Sequence, residues 1–386
     1  MSIEKNGCIY KLTLKLKIKR GEYLMGIYRF NTGEETIELP LIPDVKKLYI
    51  EPTTNCNYSC VTCIRHSWGD DISHMPWPVF SKVLKDMEEL PNLKTVHFGG
   101  FGEPLSHPRM IDMIRTCKEL GYAVEMITNG SLLTSEVAAQ LIDIGLDYIY
   151  VSLDGPDDDS FSRIRPGASF EDVTRNIRML QTLKKKMNKL TPQLGIEFVA
   201  TKTNFNKLPM MRSIIDDLGA NRFVISNVLP YHESMKDEIL YNVDANLEGF
   251  GWESPLLSVK ASPNFQLRTQ RTCKFVEDKA LVITHEGNVS PCYAFMHNYH
   301  CYIFGRRKAM VAYKFGNVLL QSLGDIWQDP QYAVFRWGVR NAQYPSCVDC
   351  RQADGCVMAQ TNEADCWGNL PSCGDCLWAR NIVVCP

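Results

Sequence analysis

Little in this 386-residue chain points to a membrane or a polyanion. No run approaches the roughly 18 apolar residues that read as a membrane span. The start, Met-Ser-Ile-Glu-Lys-Asn-Gly, lacks the apolar core and cleavage site of a secretion signal, so a cytoplasmic location is expected. Excess charge is missing too. Forty-two Lys and Arg against 44 Asp and Glu leave a net charge of -2, with no global electrostatic reason to bind nucleic acid or an anionic membrane. Internal repeats and low-complexity tracts are absent. With 45% hydrophobic and 22% charged residues, the composition excludes a disordered chain, and the length suits two or three domains.

Cysteine is what the chain has in excess. Fifteen cysteines without a secretion signal do not suit a disulfide framework, because a cytosolic thiol pool would keep them reduced. Metal binding is the expected use.

Four regions are expected. Residues 1–45 form a small antiparallel meander: residues 9–42 alternate, as in Lys11-Leu12-Thr13-Leu14-Lys15-Leu16-Lys17-Ile18-Lys19, with turn signals near Gly21 and Gly33. Over residues 46–230, strands at 47–51, 94–98, 123–127, 147–152, 194–201 and 222–228 alternate with helices. The first helix carries Val79, Phe80, Val83, Leu84, Met87 and Leu90 on one face. Such units build a parallel sheet or partial barrel, whose ligands sit at the carboxyl ends of the strands. Residues 231–272 are irregular and read as a connector. Residues 273–386 hold ten of the fifteen cysteines and read as a metal-stapled module.

The chemistry-bearing motifs follow strands. Cys56-x3-Cys60-x2-Cys63 comes directly after the first barrel strand. Three thiolates on one loop can hold three irons of a four-iron, four-sulfur (4Fe-4S) cluster, leaving one iron open to substrate. The same spacing fits three-quarters of a zinc site completed by His66. Gly99-Gly100-Phe101-Gly102-Glu103-Pro104 follows the second strand. Its glycines, Gly100 and Gly102 among them, let backbone approach a ligand, and Glu103 can accept hydrogen bonds from an ammonium, although a plain tight turn gives the same letters. Thr128-Asn129-Gly130 and Ser152-Leu153-Asp154-Gly155 end the next two strands, with short polar side chains suited to a ribose or simply to an Asp-Gly turn. In the last region, Cys273-x13-Gly287-x4-Cys292 and Cys347-x2-Cys350-x5-Cys356 precede tail cysteines Cys366, Cys373, Cys376 and Cys385. Eight thiolates would serve two clusters, and nine are present besides Cys301. Cys347, Cys350 and Cys356 are expected to share one cluster and Cys273 and Cys292 the other, with the tail completing both. Paired C-x2-C units suit a zinc ribbon as well. Cys117 and the histidines, including His66, His97 and His107, read as ordinary buried or surface residues.

These motifs resemble the radical S-adenosylmethionine (SAM) superfamily over residues 46–386, with a C-terminal SPASM domain. The resemblance implies a partial (β/α)6 barrel. It also implies a cluster on Cys56, Cys60 and Cys63 whose open iron chelates SAM, and reductive cleavage of SAM to a 5'-deoxyadenosyl radical. Glu103 would take the methionine amino group, Asn129 would belong to the same pocket, and Ser152 with Asp154 would hold the ribose. Val199 and the Ile225 to Val228 stretch would touch adenine. The chain departs from the pattern where Thr62 replaces an aromatic residue, where Phe101 interrupts the glycines, and where Gln360 stands at a usual cysteine. The stretch Leu48 to Cys56 with Cys63-Ile64-Arg65 and Trp68, and the tail from Asp365-Cys366-Trp367 to Cys385-Pro386, resemble maturases of tungsten-containing oxidoreductases. The implied partners are a peptide, protein or cofactor substrate, a tungsten-containing oxidoreductase, and a reductant such as ferredoxin or flavodoxin. A peptide-crosslinking radical enzyme is the rival enzyme. A multi-cluster electron carrier explains the cysteines but not Glu103 or the strand-end loops. No residue stands out as a general acid or base.

Overall fold

The computed structural model describes residues 22–384 apart from 25, 34, 242–255, 262–266 and 268–269. The Lys11 to Lys19 alternation, Cys8 and Cys385 fall outside the described residues.

Three short strands, β1 (Glu22–Leu24), β2 (Ile27–Asn31) and β3 (Thr36–Pro40), form the expected antiparallel meander. Gly26 turns the first hairpin at φ +81°, a conformation L residues with a Cβ resist. The meander has its own small core, in which Tyr28 and Leu41 meet Ala333.

The barrel elements follow in sequence: β4 (Lys47–Ile50), α1 (Trp77–Met87), β5 (Thr95–Phe98), α2 (Met110–Glu119), β6 (Ala123–Thr128), α3 (Ser135–Ile144), β7 (Tyr148–Ser152), α4 (Asp158–Ile164), α5 (Phe170–Lys186), β8 (Gln193–Ala200), α6 (Met211–Leu218) and β9 (Arg222–Asn227). All six expected strands pair in parallel in chain order. Two of these helix starts carry side-chain caps from a hydroxyl: Thr134 accepts from Val137 N–H and Ser169 from Asp172 N–H, each worth about 1 kcal/mol. One strand face and the apolar helix stripes make the main core. Leu48, Ile50, Val96, Phe98 and Val151 pack there with Val79, Phe80, Val83, Met87 and Ile177, and full burial of a side chain such as Phe98 contributes roughly 1.5–3 kcal/mol.

Two features extend the sheet beyond expectation. Within the stretch read as irregular, β10 (Ser258–Ala261) pairs in parallel with β9. After α7 (Lys274–Glu277), β11 (Ala280–Ile283) pairs in parallel with β4, and β12 (Asn288–Ser290) follows antiparallel. The C-terminal module is thus joined to the barrel through the sheet. Four residues are too short for period counting to reveal β10, and pairing with an existing edge is what makes it a strand. The hairpin β13 (Tyr299–Ile303) and β14 (Arg306–Met310), the short β15 (Gly316–Asn317), and the helices α8 (Leu323–Gln328) and α9 (Pro330–Arg340) complete the ordered elements. The cysteine-rich tail is irregular, built of turns. Among the described residues no helix is long and apolar enough to cross a membrane.

Candidate active site

The strand ends gather the predicted residues of the first motifs. The loop after β4 carries Cys56, Cys60 and Cys63, and its backbone is fastened from several sides. Val61 N–H donates to Ile164 O, and Cys63 N–H to Cys60 O. The Arg65 guanidinium donates to the Tyr58 carbonyl. His66 Nε2 lies 2.9 Å from Cys60 O, so His66 braces the loop backbone. Tyr58 N–H points at Cys56 Sγ at 3.4 Å, a donor suited to a thiolate. Burial pushes the Cys60 thiol up to about 11, against the pull of the Arg165 guanidinium.

The glycine loop lies against this cysteine loop. A Cβ on Gly102 would stand 2.2 Å from Thr53 O, so only glycine allows the approach. Glu103 N–H then reaches Asn55 O at 2.8 Å. Glu103 is buried, and its carboxylate accepts from Thr128 Oγ1 at 2.7 Å, Leu105 N–H at 3.0 Å and Asn129 N–H at 2.7 Å. Burial holds its carboxyl above the usual range although these three donors oppose it. Asn129 ties the two loops together: its Nδ2 approaches Cys56 Sγ at 3.8 Å and donates to Asn57 Oδ1 at 2.9 Å.

At the next strand ends, Ser152 is half-buried, while Asp154 is fully buried and engaged. One Asp154 oxygen accepts from Val199 N–H at 2.8 Å and the other meets Arg165 at 2.7 Å. Asp154 therefore positions Arg165 and the end of β8. The Ile225 to Val228 stretch is covered by the chain's own tail, since Asn227 N–H and Nδ2 both bond Ile382 O and Val384 N–H bonds Ser226 Oγ.

In the C-terminal module, Cys273, Cys292, Cys373 and Cys376 line one apolar cavity together with Phe275 and Phe295. Backbone N–H groups two and three residues on face three of these thiols: Phe275 and Val276 at Cys273, Ala294 and Phe295 at Cys292, and Trp378 and Ala379 at Cys376. Among the described residues no three His, Cys, Asp or Glu side chains are gathered as one metal ion requires. The four thiols instead surround a void, and soft donors with N–H groups aimed at sulfur suit an iron-sulfur cluster. The remaining cysteines make a second group, in which Cys366 feels Cys356 and Cys350, and Cys347 feels Cys366. Cys117 is a buried helix residue, and Cys301 is a buried strand residue that also lines the cavity.

Sequence reasoning passed over Arg165, Glu51 and two histidines. Arg165 follows α4 and faces the cysteine loop. Glu51 continues the inward parity of Lys47 and Tyr49, which was the available signal. Its partners His285 and His297 come from more than 230 positions away, and no local pattern announces them.

Residues 50–191 match the Radical SAM superfamily, and residues 273–351 match SPASM, an iron-sulfur cluster-binding domain. The chain is 39% identical over 352 residues to the tungsten-containing aldehyde ferredoxin oxidoreductase cofactor-modifying protein of Pyrococcus furiosus, covering 89% of this chain and 97% of that one. It is 25% identical to the PqqA peptide cyclase of Methylorubrum extorquens over 84% of each chain. Streptococcus suis SuiB bound to S-adenosylmethionine shares the fold, with a TM-score of 0.57 at 16% identity over 81% of this chain and 72% of that one. The chain belongs to the radical SAM superfamily, as a SPASM-containing relative of the Pyrococcus cofactor-modifying protein.

Proposed function

We propose that this radical SAM enzyme modifies the cofactor of a tungsten-containing oxidoreductase, with Cys56, Cys60 and Cys63 holding the cluster that binds SAM. The observation that carries the site is Asn129, which joins Cys56 to Glu103. When bound, the cluster supplies the electron that cleaves SAM to methionine and a 5'-deoxyadenosyl radical. Glu103 would accept from the methionine amino group, its carboxylate held in place by Thr128, Leu105 and Asn129. Gly100 and Gly102 let this loop close against Glu51, Thr53 and Asn55, which sets Glu103 beside the cysteine loop. Ser152 would hold the ribose and Val199 would contact the adenine, with the Val199 amide fixed by Asp154, which also pairs with Arg165.

Two auxiliary clusters follow from the cysteine groups. Cys273, Cys292, Cys373 and Cys376 hold one, and Cys347, Cys350, Cys356 and Cys366 the other, which uses eight thiols and leaves Cys385 over. The tungsten assignment rests on the extent of the likeness to the Pyrococcus protein. A ferredoxin or flavodoxin would deliver the electron, and the substrate is a cofactor alone or bound to its oxidoreductase. Incubating the reduced, iron-loaded protein with SAM and the unmodified cofactor of such an oxidoreductase tests this. The expected result is 5'-deoxyadenosine together with a mass change in the cofactor. 5'-Deoxyadenosine without any change in the cofactor would refute the substrate assignment.

A further inference from the structure

A buried chain of acid and imidazole groups joins the barrel to the auxiliary module, and nothing in the chemistry above uses it. Glu51 follows β4, and His297 lies between β12 and β13; both are buried. Both carboxylate oxygens of Glu51 lie 3.0 Å from His297 Nε2. Asp70, in the loop beyond Cys63, places Oδ2 2.8 Å from His297 Nδ1. A carboxylate only accepts hydrogen bonds, so both ring nitrogens carry protons and His297 is an imidazolium. Burial opposes both charges, yet the mutual contacts outweigh it, holding the Glu51 carboxyl below its ordinary range and His297 above its own.

The groups that face His297 come from four segments. Glu51 comes from the barrel and Asp70 from the cysteine-loop flank. His285, from the turn after β11, stands 3.4 Å from Glu51 Oε2. The rings of Trp68 and Phe101 lie 4.4 and 5.8 Å from the imidazole. Glu51 Oε1 also accepts the Phe101 N–H at 3.2 Å. Phe101 is the residue that interrupts the glycine motif, two positions before Glu103. Its ring touches Trp68 and Tyr293, so here the glycine loop meets the auxiliary module. Trp68 in turn forms a β-bridge with Tyr299 of the module.

We propose that His297, clasped between Glu51 and Asp70, is a positioning residue that holds the Glu103 loop, the cysteine-loop flank and the auxiliary module in one register. SAM then binds at full strength only while the imidazole keeps both protons. The proposal rests on the assignment of the SAM site above. Loss of a proton would leave Nδ1 with a lone pair facing the Asp70 carboxylate. Asp70 is 29% exposed and can turn to water, whereas the Glu51 side chain is fully buried and cannot. The flank carrying Trp68 would therefore loosen first. A raised histidine pKa means that the clasp is complete at low pH and is lost as pH rises through that value.

The test measures SAM affinity of the iron-loaded full chain by anaerobic equilibrium dialysis from about pH 6 to about pH 9. The wild type is expected to weaken about tenfold across this range, a coupling of ordinary size for linked sites. His297→Asn should show the weak affinity at every pH, with iron content unchanged. Asp70→Asn, at the partly exposed end, should move the transition to lower pH because one of the anions that stabilise the imidazolium is gone. This variant keeps the test decisive should His297→Asn fail to take up iron. Wild-type affinity independent of pH, or the same pH dependence in both variants as in the wild type, would overturn the proposal. Absence of SAM binding by the wild type at every pH would overturn the site assignment, and the proposal with it.

Discussion

Replacing Glu103 with Gln exchanges one carboxylate oxygen for an NH2, and the consequences can be followed atom by atom. Oε1 accepts from Thr128 and Leu105, and Oε2 from Asn129. With the amide oxygen on the Oε1 side, the NH2 confronts Asn129 N–H. With the amide reversed, Thr128 can rotate its hydroxyl to accept, but Leu105 N–H is left without a partner. Either way one buried backbone donor is orphaned, costing about 1–3 kcal/mol of stability. The bound amino group separately loses a hydrogen bond to a charged acceptor, worth about 1.5–3 kcal/mol, roughly a 10- to 150-fold rise in Kd for SAM. Anaerobic dialysis against SAM measures the second effect, and a thermal melt with iron analysis measures the first. Thr128→Val is the control, since it removes one bond to the carboxylate but keeps the charge. It should lower Tm and leave SAM binding near wild type. A Glu103→Gln protein with full iron and wild-type Kd would refute the role of this carboxylate.

Further outcomes follow from the same geometry. Changing Cys56, Cys60 and Cys63 together to Ala should remove about a third of the roughly 12 irons expected for three 4Fe-4S clusters, and abolish SAM cleavage; stoichiometric zinc with little iron in the wild type would refute the cluster reading. Cys347→Ala with Cys350→Ala should leave 5'-deoxyadenosine formation measurable but stop substrate modification, with circular dichroism checking that the module still folds; a folded variant that modifies its substrate at the normal rate would make that cluster purely structural. His97 is depressed to about 4 by burial, although its contact with Glu125 opposes the shift. A histidine that titrates lower when folded stabilises the protein fully above its unfolded value of about 6.5, and that stability falls by on the order of 3 kcal/mol as pH drops to about 4. Glu125 stays ionised through this window, at about 2. Denaturant unfolding of wild type and His97→Gln should therefore converge as the pH falls, and parallel pH profiles would contradict the reading.

The local patterns were legible because each depends on neighbours in the chain. The alternation of strand and helix appears as β4 to β9 with their connecting helices, and Val79, Phe80, Val83 and Met87 face the core as their spacing requires. A loop that follows a parallel strand must sit at the sheet's carboxyl edge. The order of motifs along the chain thus already placed Cys56, Glu103, Asn129 and Ser152 at one end of the barrel. By contrast, β10 needed an edge to pair with, and the role of Asp154 depended on the guanidinium of Arg165 eleven residues on.

By itself, then, the sequence determined the fold class, the cysteine loop and the end of the barrel where the strand-end motifs gather, since periodicity and short spacings are written within a few turns of chain. Only the tertiary structure decided which tail cysteines join which partners. Cys373 and Cys376 line a cavity with Cys273 and Cys292, about a hundred positions earlier, and spacing says nothing about so distant a meeting. It likewise decided that His297 would lie between Glu51 and Asp70. An isolated histidine in a sequence has no sign of its charge, because that charge is set by the carboxylates folding brings to its two nitrogens.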